Sequence, residues 1–328
     1  MDELRKAIVN HAVSHWQIDA ESAGQRLDNF LVRSLKGVPK SHLYRIVRSG
    51  EVRINGRRVD VSYRLNVGDE VRIPPIRVAA PSDLQKNPVN ATRARRIDFP
   101  ILFEDEALLA INKPAGIAVH GGSGVDFGVI EALREQRPEA RFLELAHRLD
   151  RETSGILLVG KKRSALKVLH DMFRQGTSDK RYLALVSGHW EAPVKDVRLP
   201  LLKYLTEEGE RRVSVDAEGS GKFSHTIFRK QRSGSRFSLV EAQLKTGRTH
   251  QIRVHLAHIG FPIAGDDKYG DFALNRRLLG EGLKRMFLHA WKIRFPHPVS
   301  GQTLTLEAGL PKELELFMSR VLANGEQP

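Results

Sequence analysis

A polar loop that runs directly into an apolar segment constrains the fold of this chain more than any other feature. The nonapeptide HRLDRETSG, residues 147–155, is followed by the four apolar residues ILLV. This order indicates a loop that enters a buried strand, and a buried strand holds such a loop rigidly. One carboxylate, Asp150, lies between Arg148 and Arg151. An isolated Asp–Arg pair is most often a solvated ion pair, but the whole nonapeptide is much more specific and indicates a functional site.

Charge and composition indicate a folded protein with a polyanionic partner. The chain has 328 residues, of which 41% are hydrophobic, and carries a formal net charge of +14. A chain of this length has room for about two domains. Lysine and arginine gain free energy by displacing counterions from phosphates, although net charge alone does not distinguish RNA from DNA or an anionic membrane surface.

The same sequence excludes several classes of protein. It contains no cysteine, which excludes disulfides and thiolate metal sites. No apolar run approaches the ~20 residues that span a bilayer, and the N-terminus lacks the apolar core of a signal peptide. We therefore expect a soluble, cytoplasmic protein without a membrane partner.

A small basic unit is predicted for residues 24–76. QRLDNFLVRSL and SHLYRIVRSG fit two helices, and EVRINGRRV and YRLNVGDEVRI fit short strands. The unit resembles the S4 domain, also called the alpha-L motif, in GQRLDNFL, VPKSHLYRIVRSGEVRING and VGDEV. The resemblance implies RNA binding, and contact with another protein is the alternative. The candidate RNA contacts are Arg45, Arg48 and Arg53.

The small unit divides the rest of the chain into three predicted segments. Residues 1–23 are predicted to be a flexible tail, and residues 77–97, rich in Pro, Ala, Asn and Arg, a linker. Residues 98–328 form a larger second domain. Within it, residues 206–224 are charged and rich in Gly and Ser, which indicates a hairpin excursion.

Two segments of the large domain carry further candidate residues. KRYLALV alternates as a strand with Tyr182 near its start, where a tyrosine is most often a core edge with a hydrated hydroxyl. TGRTHQIRVHLAHIG predicts a turn and a helix with Thr249 as N-cap. His250 and Arg253 share one face of that helix. Because an arginine in the first turns opposes the helix macrodipole, we expect a buried carboxylate as its partner.

Five motifs of the large domain together resemble those of the A-type ribosomal large-subunit pseudouridine synthases. They are NKPAG, HRLDRETSG, KRYLALV, TGRTHQIRVH and GDDKYGD. With the small unit, the resemblance extends from Gly24 to about residue 311, and further details are similar to one subgroup of the family. It implies an α+β fold, in which a mixed, mainly antiparallel sheet carries the catalytic cleft and follows the small α/β RNA-binding domain.

The resemblance also implies a reaction. The family isomerises uridine in RNA by breaking the N-glycosidic bond, rotating the uracil and joining its C5 to C1′, so neither a redox cofactor nor a nucleotide energy source is needed. The implied partner is 23S ribosomal RNA or a large-subunit precursor, bound by a monomer. Asp150 is the implied catalytic carboxylate. It attacks a sugar or base carbon or removes the 2′ proton, and the sequence leaves these alternatives open.

The roles of other residues follow from the resemblance alone. Arg253 is the implied ion-pair partner of Asp150, and Tyr182 stacks on the uracil and assists the late proton removal at C5. A stacked target base must first be extruded, and Arg148 is expected to fill the vacated space and pair with the orphaned base. Arg151 is assigned to local structure. The other expected RNA contacts are His147, Arg248 and His250.

Two other functions compete with this interpretation. A nucleic-acid glycosylase or nucleoside hydrolase also uses a carboxylate near C1′. A non-catalytic RNA chaperone or ribosome-assembly factor would need only the small basic domain. A metal site is not expected, because His250, His255 and His258 share a helix without the H-E-x-x-H spacing or an accompanying carboxylate.

Overall fold

The computed structural model describes residues 12–20, 22–35, 38–76, 97–121, 127–216 and 219–323. The chain divides between residues 89 and 90 into two compact units. Apart from residue 97, the predicted linker lies outside the described residues. None of the described helices has the length and apolar character that a membrane crossing requires.

In its described residues, the small unit is a three-stranded antiparallel sheet with two helices. Its elements are β1 (Ser14–Gln17), α1 (Leu27–Ser34), α2 (Lys40–Arg48), β2 (Arg53–Ile54) and β3 (Glu70–Ile73). The strand order is β1-β3-β2. Leu27 and Leu31 of α1 are buried with Leu43 and Ile46 of α2 and with Val71 of the sheet. The two helices and the following strands were therefore predicted correctly.

β1 corrects the prediction of a flexible tail over residues 1–23. This strand pairs antiparallel with β3, and Ile18, directly after it, is buried in the core of the small unit. Trp16 packs edge-on against Phe30, with ring centres 6.0 Å apart. A four-residue strand is too short to show periodicity, and its partner comes much later in the chain, so the pairing was not visible in the sequence. Residues 1–11 of the predicted tail lie outside the described residues.

In its described residues, the large unit is built on a ten-stranded sheet. The strands are β4 (Ile101–Glu104), β5 (Leu108–Lys113), β6 (Glu144–Leu145), β7 (Ser154–Gly160), β8 (Asp179–Ser187), β9 (Val194–Arg198), β12 (His225–Ser233), β13 (Phe237–Leu244), β14 (Leu288–Pro296) and β15 (Thr303–Glu307), while β10 (Leu201–Leu205) and β11 (Arg211–Val215) form a separate hairpin. The main order is β4-β5-β7-β14-β8-β13-β12-β9, with β15 on β14 and β6 on β7. β7 and β14 are parallel, and the other pairs are antiparallel. This mixed, mainly antiparallel sheet confirms the predicted fold class.

Side chains cover both faces of the large sheet. All seven residues of β7 are buried, and they alternate between two cores: Leu157 and Val159 belong to one, Ile156 and Leu158 to the other. A strand that is apolar on both faces produces the continuous run seen in the sequence. The packed helices are α3 (Val129–Gln136), α4 (Arg163–Gln175), α5 (Gln251–His258), α6 (Phe272–Gly280) and α7 (Lys312–Ala323).

The predicted hairpin excursion is present but begins earlier than residues 206–224, because its strands are β10 and β11. Val213 of β11 packs in a small cluster with Val254 of α5 and Tyr269. The hairpin therefore supports the helix that carries Arg253. Residues 217 and 218 lie outside the described residues.

Candidate active site

The loop that carries Asp150 is tied to the loop after β5 by a buried lysine. Lys113 Nζ donates hydrogen bonds to the carbonyl oxygens of Pro114 at 2.7 Å, Ile117 at 2.9 Å and Arg151 at 3.1 Å. Burial lowers the pKa of Lys113 to about 7. The three acceptors stabilise the ammonium in this interior position. NKPAG and HRLDRETSG, which are separate in sequence, are therefore joined by the side chain of Lys113.

Arg151 strengthens the same connection. The Gly116 N–H donates to the Arg151 carbonyl oxygen at 2.9 Å, and Arg151 Nε donates to the Gly116 carbonyl oxygen at 3.0 Å. These reciprocal bonds agree with the assignment of Arg151 to local structure.

The other end of the loop is held by a buried polar chain. Ser154 Oγ accepts a hydrogen bond from Arg285 Nη2 at 2.7 Å and lies 2.8 Å from His289 Nδ1. His289 Nε2 lies 3.0 Å from the Ala308 carbonyl oxygen, which is only an acceptor. His289 therefore donates from Nε2 and accepts from Ser154 at Nδ1. Burial lowers the pKa of His289 to about 4, so the neutral ring is maintained.

Gly155 allows the loop to enter β7 against β14. Its φ is +108°, and a Cβ at this position would collide with the Ala290 carbonyl oxygen. The parallel pairing of β7 with β14 therefore depends on a residue without a side chain.

Arg253 connects Asp150 to a second, more deeply buried carboxylate. Its Nη1 lies 3.3 Å from Asp150 Oδ2, so the predicted contact is present. Its strongest partner is Asp266. Arg253 Nε donates a hydrogen bond to Asp266 Oδ2 at 2.7 Å, and Arg253 Nη2 donates to Asp266 Oδ1 at 2.6 Å. Asp267 Oδ1 lies 3.2 Å from Nη2. Arg253 and Asp266 are buried, with side chains 4% and 1% exposed. Asp266 is thus the buried carboxylate expected from the position of Arg253 in α5.

The charges of this pair reinforce each other. Burial lowers the pKa of Arg253, but hydrogen bonds and charge from Asp266 and Asp150 more than offset that effect and raise the pKa above its ordinary value. Burial likewise raises the pKa of Asp266, but Arg253 and two backbone amides hold it below its ordinary value. Arg253 therefore remains a fixed cation whose position is set mainly by Asp266.

His250 is placed next to Asp150 by an unusual backbone conformation. The helix begins at Gln251 instead of following an N-cap at Thr249, and His250 in front of it has a φ of 53°. Its Nε2 lies 3.9 Å from Asp150 Oδ1. Its Nδ1 lies 2.8 Å from the hydroxyl of Tyr269.

The hydrogen bonds around Tyr269 assign the protonated nitrogen of His250. The Tyr269 hydroxyl accepts from the Val213 N–H at 3.0 Å, so its own proton is free to be donated to His250 Nδ1. Burial lowers the pKa of His250, which favours the neutral ring. A neutral ring that accepts at Nδ1 carries its proton on Nε2, which faces Asp150.

Tyr182 belongs to the wall of the same cleft as Asp150. It lies on β8, which is separated from β7 only by β14, and its side chain is nearly buried. Burial, with a smaller contribution from the charge of Asp150, raises the pKa of Tyr182. The hydroxyl therefore keeps its proton at neutral pH.

The cleft has a volume of about 730 Å³. Its lining includes the first residues of HRLDRETSG, the end of α4, and residues 244–253, which lead into α5. Arg148 is exposed, and its side chain forms no hydrogen bond or ion pair with any described residue. Arg248 is also exposed, with Nε donating to the Phe223 carbonyl oxygen at 3.1 Å. Asp150 is the one carboxylate among the described lining residues.

His147 lines the cleft, but one of its ring nitrogens is hydrogen-bonded to the backbone of β7. Its Nε2 accepts a hydrogen bond from the Leu158 N–H at 3.1 Å. Burial lowers the pKa of His147 to about 3, with a further contribution from the charge of Lys180. The neutral ring packs edge-on against Phe173, with centres 5.2 Å apart.

The three candidate arginines of the small unit are exposed. Arg53 Nε donates to the Gly50 carbonyl oxygen at 3.2 Å, Arg48 lies over the ring of Tyr44, and Arg45 lies 3.6 Å from Glu51. These contacts leave much of each guanidinium accessible, as binding to phosphate requires.

Four residues of the site were not identified from the sequence. Asp266 and Tyr269 belong to the GDDKYGD motif, and Lys113 to NKPAG, so the motif membership was the available signal. Lys180 stands two residues before Tyr182 and lines the same cleft. No periodicity distinguishes these side chains from surface residues.

Comparison with known proteins identifies the family. A model for RNA pseudouridylate synthase matches residues 107–258, and one for the S4 domain matches residues 25–71. The chain is 50% identical over 321 residues to ribosomal large subunit pseudouridine synthase C of Haemophilus influenzae, which covers 98% of this chain and 99% of that protein. The chain belongs to the ribosomal large-subunit pseudouridine synthases. The Escherichia coli protein of the same name is 52% identical to this synthase over 306 residues, with coverage of 93% and 95%.

Solved structures share the fold of the synthase. Human RNA pseudouridylate synthase domain containing 4 matches with a TM-score of 0.58 and 26% identity over 73% of this chain and 97% of that chain. Domain containing 1 matches with a TM-score of 0.55 and 25% identity, covering 65% and 84%. The matched family segment of the synthase includes Asp150, Tyr182 and Arg253 but ends before Asp266.

Proposed function

We propose that this synthase converts specific uridines of 23S ribosomal RNA to pseudouridine, with Asp150 as the catalytic carboxylate. The observation that carries the proposal is the position of Asp150 in the cleft, where its side chain is 18% exposed. Arg253 hydrogen-bonds one of its oxygens, Oδ2, at 3.3 Å. The other oxygen, Oδ1, is 3.9 Å from His250, and is available to a substrate. The relatives named as ribosomal large-subunit synthases support 23S RNA as the substrate.

The proposed reaction is an isomerisation without gain or loss of atoms. The bond between N1 and C1′ breaks, the uracil rotates, a bond forms between C5 and C1′, and the proton on C5 is removed while N1 gains one. Asp150 begins the reaction by attack on carbon or by removal of the 2′ proton. Tyr182 stacks on the uracil and, because its hydroxyl stays protonated, assists the last step as a hydrogen-bonding relay and not as a phenolate.

The RNA has to deliver an extruded uridine to the cleft, at a cost of a few kcal/mol. Arg148 suits the role of filling the vacated stack, because its side chain has no partner among the described residues. Arg248 and His250 contact the RNA around the target nucleotide. The small unit contributes salt-sensitive affinity through its exposed arginines. We further propose that the enzyme acts as a monomer in the cytoplasm.

The test compares two carboxylates that touch the same arginine. Asp150→Asn is expected to lower pseudouridine formation in a 23S transcript by at least about 10²-fold, while the free energy of unfolding changes by less than about 1 kcal/mol. Asp267→Asn is the matched control, because Asp267 also contacts Arg253 but its side chain is 66% exposed. It should retain activity. Equal activity of Asp150→Asn and the wild type would exclude Asp150 as the catalyst.

The same assay separates the competing functions. Release of free uracil would indicate a glycosylase or hydrolase. RNA binding by the wild type without any modified base would indicate a chaperone or assembly factor. Activity is expected to persist in EDTA, since we propose no metal in the reaction.

A further inference from the structure

Lys180 is a lysine of the cleft whose charge is not compensated by any residue that the structure describes. It lies on β8 two residues before Tyr182, so the two side chains project from the same face of the strand. Both line the cleft. Lys180 is half-buried, yet its ammonium forms no hydrogen bond or ion pair with any described residue.

Lys113 shows what a purely structural buried lysine looks like in this fold. Its ammonium donates to three carbonyl oxygens. Lys180 Nζ instead lies over the Phe173 ring, whose centre is 5.0 Å away, and close to Gly247. Neither of these described neighbours offers it a hydrogen-bond acceptor of the kind that holds Lys113. Burial lowers the pKa of Lys180 to about 8, so the group is still an ammonium at neutral pH.

The surroundings of Lys180 favour an anion as the missing partner. Arg148, Lys245 and Arg248 are exposed cations on the same cleft. Asp150 is the one carboxylate among the described lining residues, and it already contacts Arg253. A desolvated ammonium without an acceptor is unfavourable, and a charge-assisted bond to a phosphate oxygen would compensate it.

We propose that Lys180 binds a phosphate group of the RNA next to the target uridine. A uracil stacked on Tyr182 places its nucleotide along β8, and a flanking phosphate then lies toward Lys180. The contact holds the sugar over Asp150 by binding a part of the RNA that does not react. This inference rests on the proposed function, because it uses the same cleft and the same RNA.

The test replaces the ammonium with an apolar group of similar length. Lys180→Met is expected to raise KM for a 23S transcript by about tenfold or more, with a smaller effect on kcat. Loss of one phosphate contact should also reduce the slope of log affinity against log salt by about 0.7. Lys195→Met is the matched control, since Lys195 also lies over aromatic rings, those of Trp190 and Phe261, but does not line the cleft. It should leave both quantities unchanged.

Stability separates binding from a structural role. The free enzyme should unfold at the same or a higher urea concentration in Lys180→Met, because among the described residues the ammonium contacts only the Phe173 ring. Lower stability with unchanged KM and salt slope would overturn the proposal and assign Lys180 to packing on Phe173. A loss confined to kcat, with the salt slope unchanged, would also overturn it and indicate a contact with the base.

Binding in the Asp150→Asn background makes the two proposals independently testable. Affinity for the transcript, measured without turnover, should still fall when Lys180→Met is added, and its slope against log salt should still decrease by about 0.7. A wild-type enzyme that forms no pseudouridine would refute the proposed function alone. An active wild type combined with unchanged affinity of the Lys180 variant would refute only the phosphate contact.

Discussion

Asp266→Asn is predicted to damage both stability and catalysis, although Asp266 does not line the cleft. Asp266 and Arg253 form two short hydrogen bonds, of 2.7 and 2.6 Å, in the interior. Removing one partner of a buried ion pair costs about 3–5 kcal/mol. We expect about 3 kcal/mol, because Arg253 retains Asp150 and Asp267 as neighbours. The asparagine also turns an NH₂ group toward the guanidinium, so a donor faces a donor.

The effect on catalysis follows from the displaced guanidinium. Without its main anchor, Arg253 is expected to move toward Asp150 and Asp267 and to cover the edge of the Asp150 carboxylate that the proposed reaction uses. A misplacement of about 1 Å at a reacting group can cost about 10²-fold in rate. We therefore predict a decrease in kcat of about that size, with KM changed less.

The stability difference should depend on pH in a defined direction. Arg253 and two backbone amides hold the pKa of Asp266 below its ordinary value, against the opposing effect of burial. A group of this kind stabilises the fold above its unfolded pKa of about 4 and loses that contribution as the pH falls through the folded pKa. The difference in free energy of unfolding between the wild type and Asp266→Asn should therefore have its full size at pH 7. It should shrink below about pH 4.

Urea unfolding and steady-state kinetics on the same preparations provide the assay. Asp267→Asn is again the control, because the exposed carboxylate should contribute less than about 1 kcal/mol. Equal unfolding midpoints for Asp266→Asn and the wild type at pH 7 would refute the reasoning about the buried pair. If Asp266→Asn loses the predicted stability but keeps the kcat of the wild type, the link between Asp266 and the position of Arg253 is refuted.

Three further predictions concern the scaffold and the RNA-binding unit. Gly155→Ala should lower the free energy of unfolding in urea by at least about 3 kcal/mol, because a Cβ would strike the Ala290 carbonyl oxygen. Gly116→Ala is the control and should cost only about 1 kcal/mol, because the new Cβ would point into open space. Similar costs for the two variants would contradict the steric argument. Burial lowers the pKa of His255 and of His289 to about 4, below the unfolded value of about 6.5. The contribution of each neutral ring to the free energy of unfolding is therefore complete above pH 6.5. It should fall by up to about 2 kcal/mol for each histidine by pH 5, because protonation then favours the unfolded chain. Unfolding midpoints that stay constant from pH 7 to pH 5 would show that these rings are not held neutral. Replacing all three candidate arginines of the small unit with alanine should reduce the salt slope of RNA binding by about 2 units, and an unchanged slope would assign that surface to another partner; the residues are Arg45, Arg48 and Arg53.

Local patterns predicted most of the elements around the site. The ILLV run became β7 because apolar residues on both faces require a covered strand. The helix with Arg253 was predicted within one or two residues of its start, and the argument that its arginine needs a buried carboxylate was correct. The helix macrodipole indicates that Arg253 needs an anionic partner, but it does not identify which aspartate supplies the negative charge. The structure selects Asp266 for the buried pair and leaves Asp150 with a weaker contact.

Contacts between distant segments were beyond the reach of local patterns. β1 was assigned to a tail because its partner β3 follows two helices and a strand. The left-handed conformation of His250 is stabilised by Tyr269, and the interior position of Lys113 depends on carbonyl groups from two loops. Each of these features arises from packing between segments that are distant in sequence. Secondary-structure propensities of neighbouring residues do not predict such packing.

The sequence by itself determined the fold class, the two-unit organisation and, through its motif set, the family and the reaction expected of it. These properties depend on local periodicity and on residues that are recognisable one by one. Only the tertiary structure decided the surroundings of each residue in the nonapeptide HRLDRETSG. It placed Arg151 in the scaffold, left Arg148 accessible, and positioned Asp150 beside an arginine that a second aspartate anchors. The physical reason is that charge pairing in an interior depends on distance and desolvation, which exist only after the chain has folded.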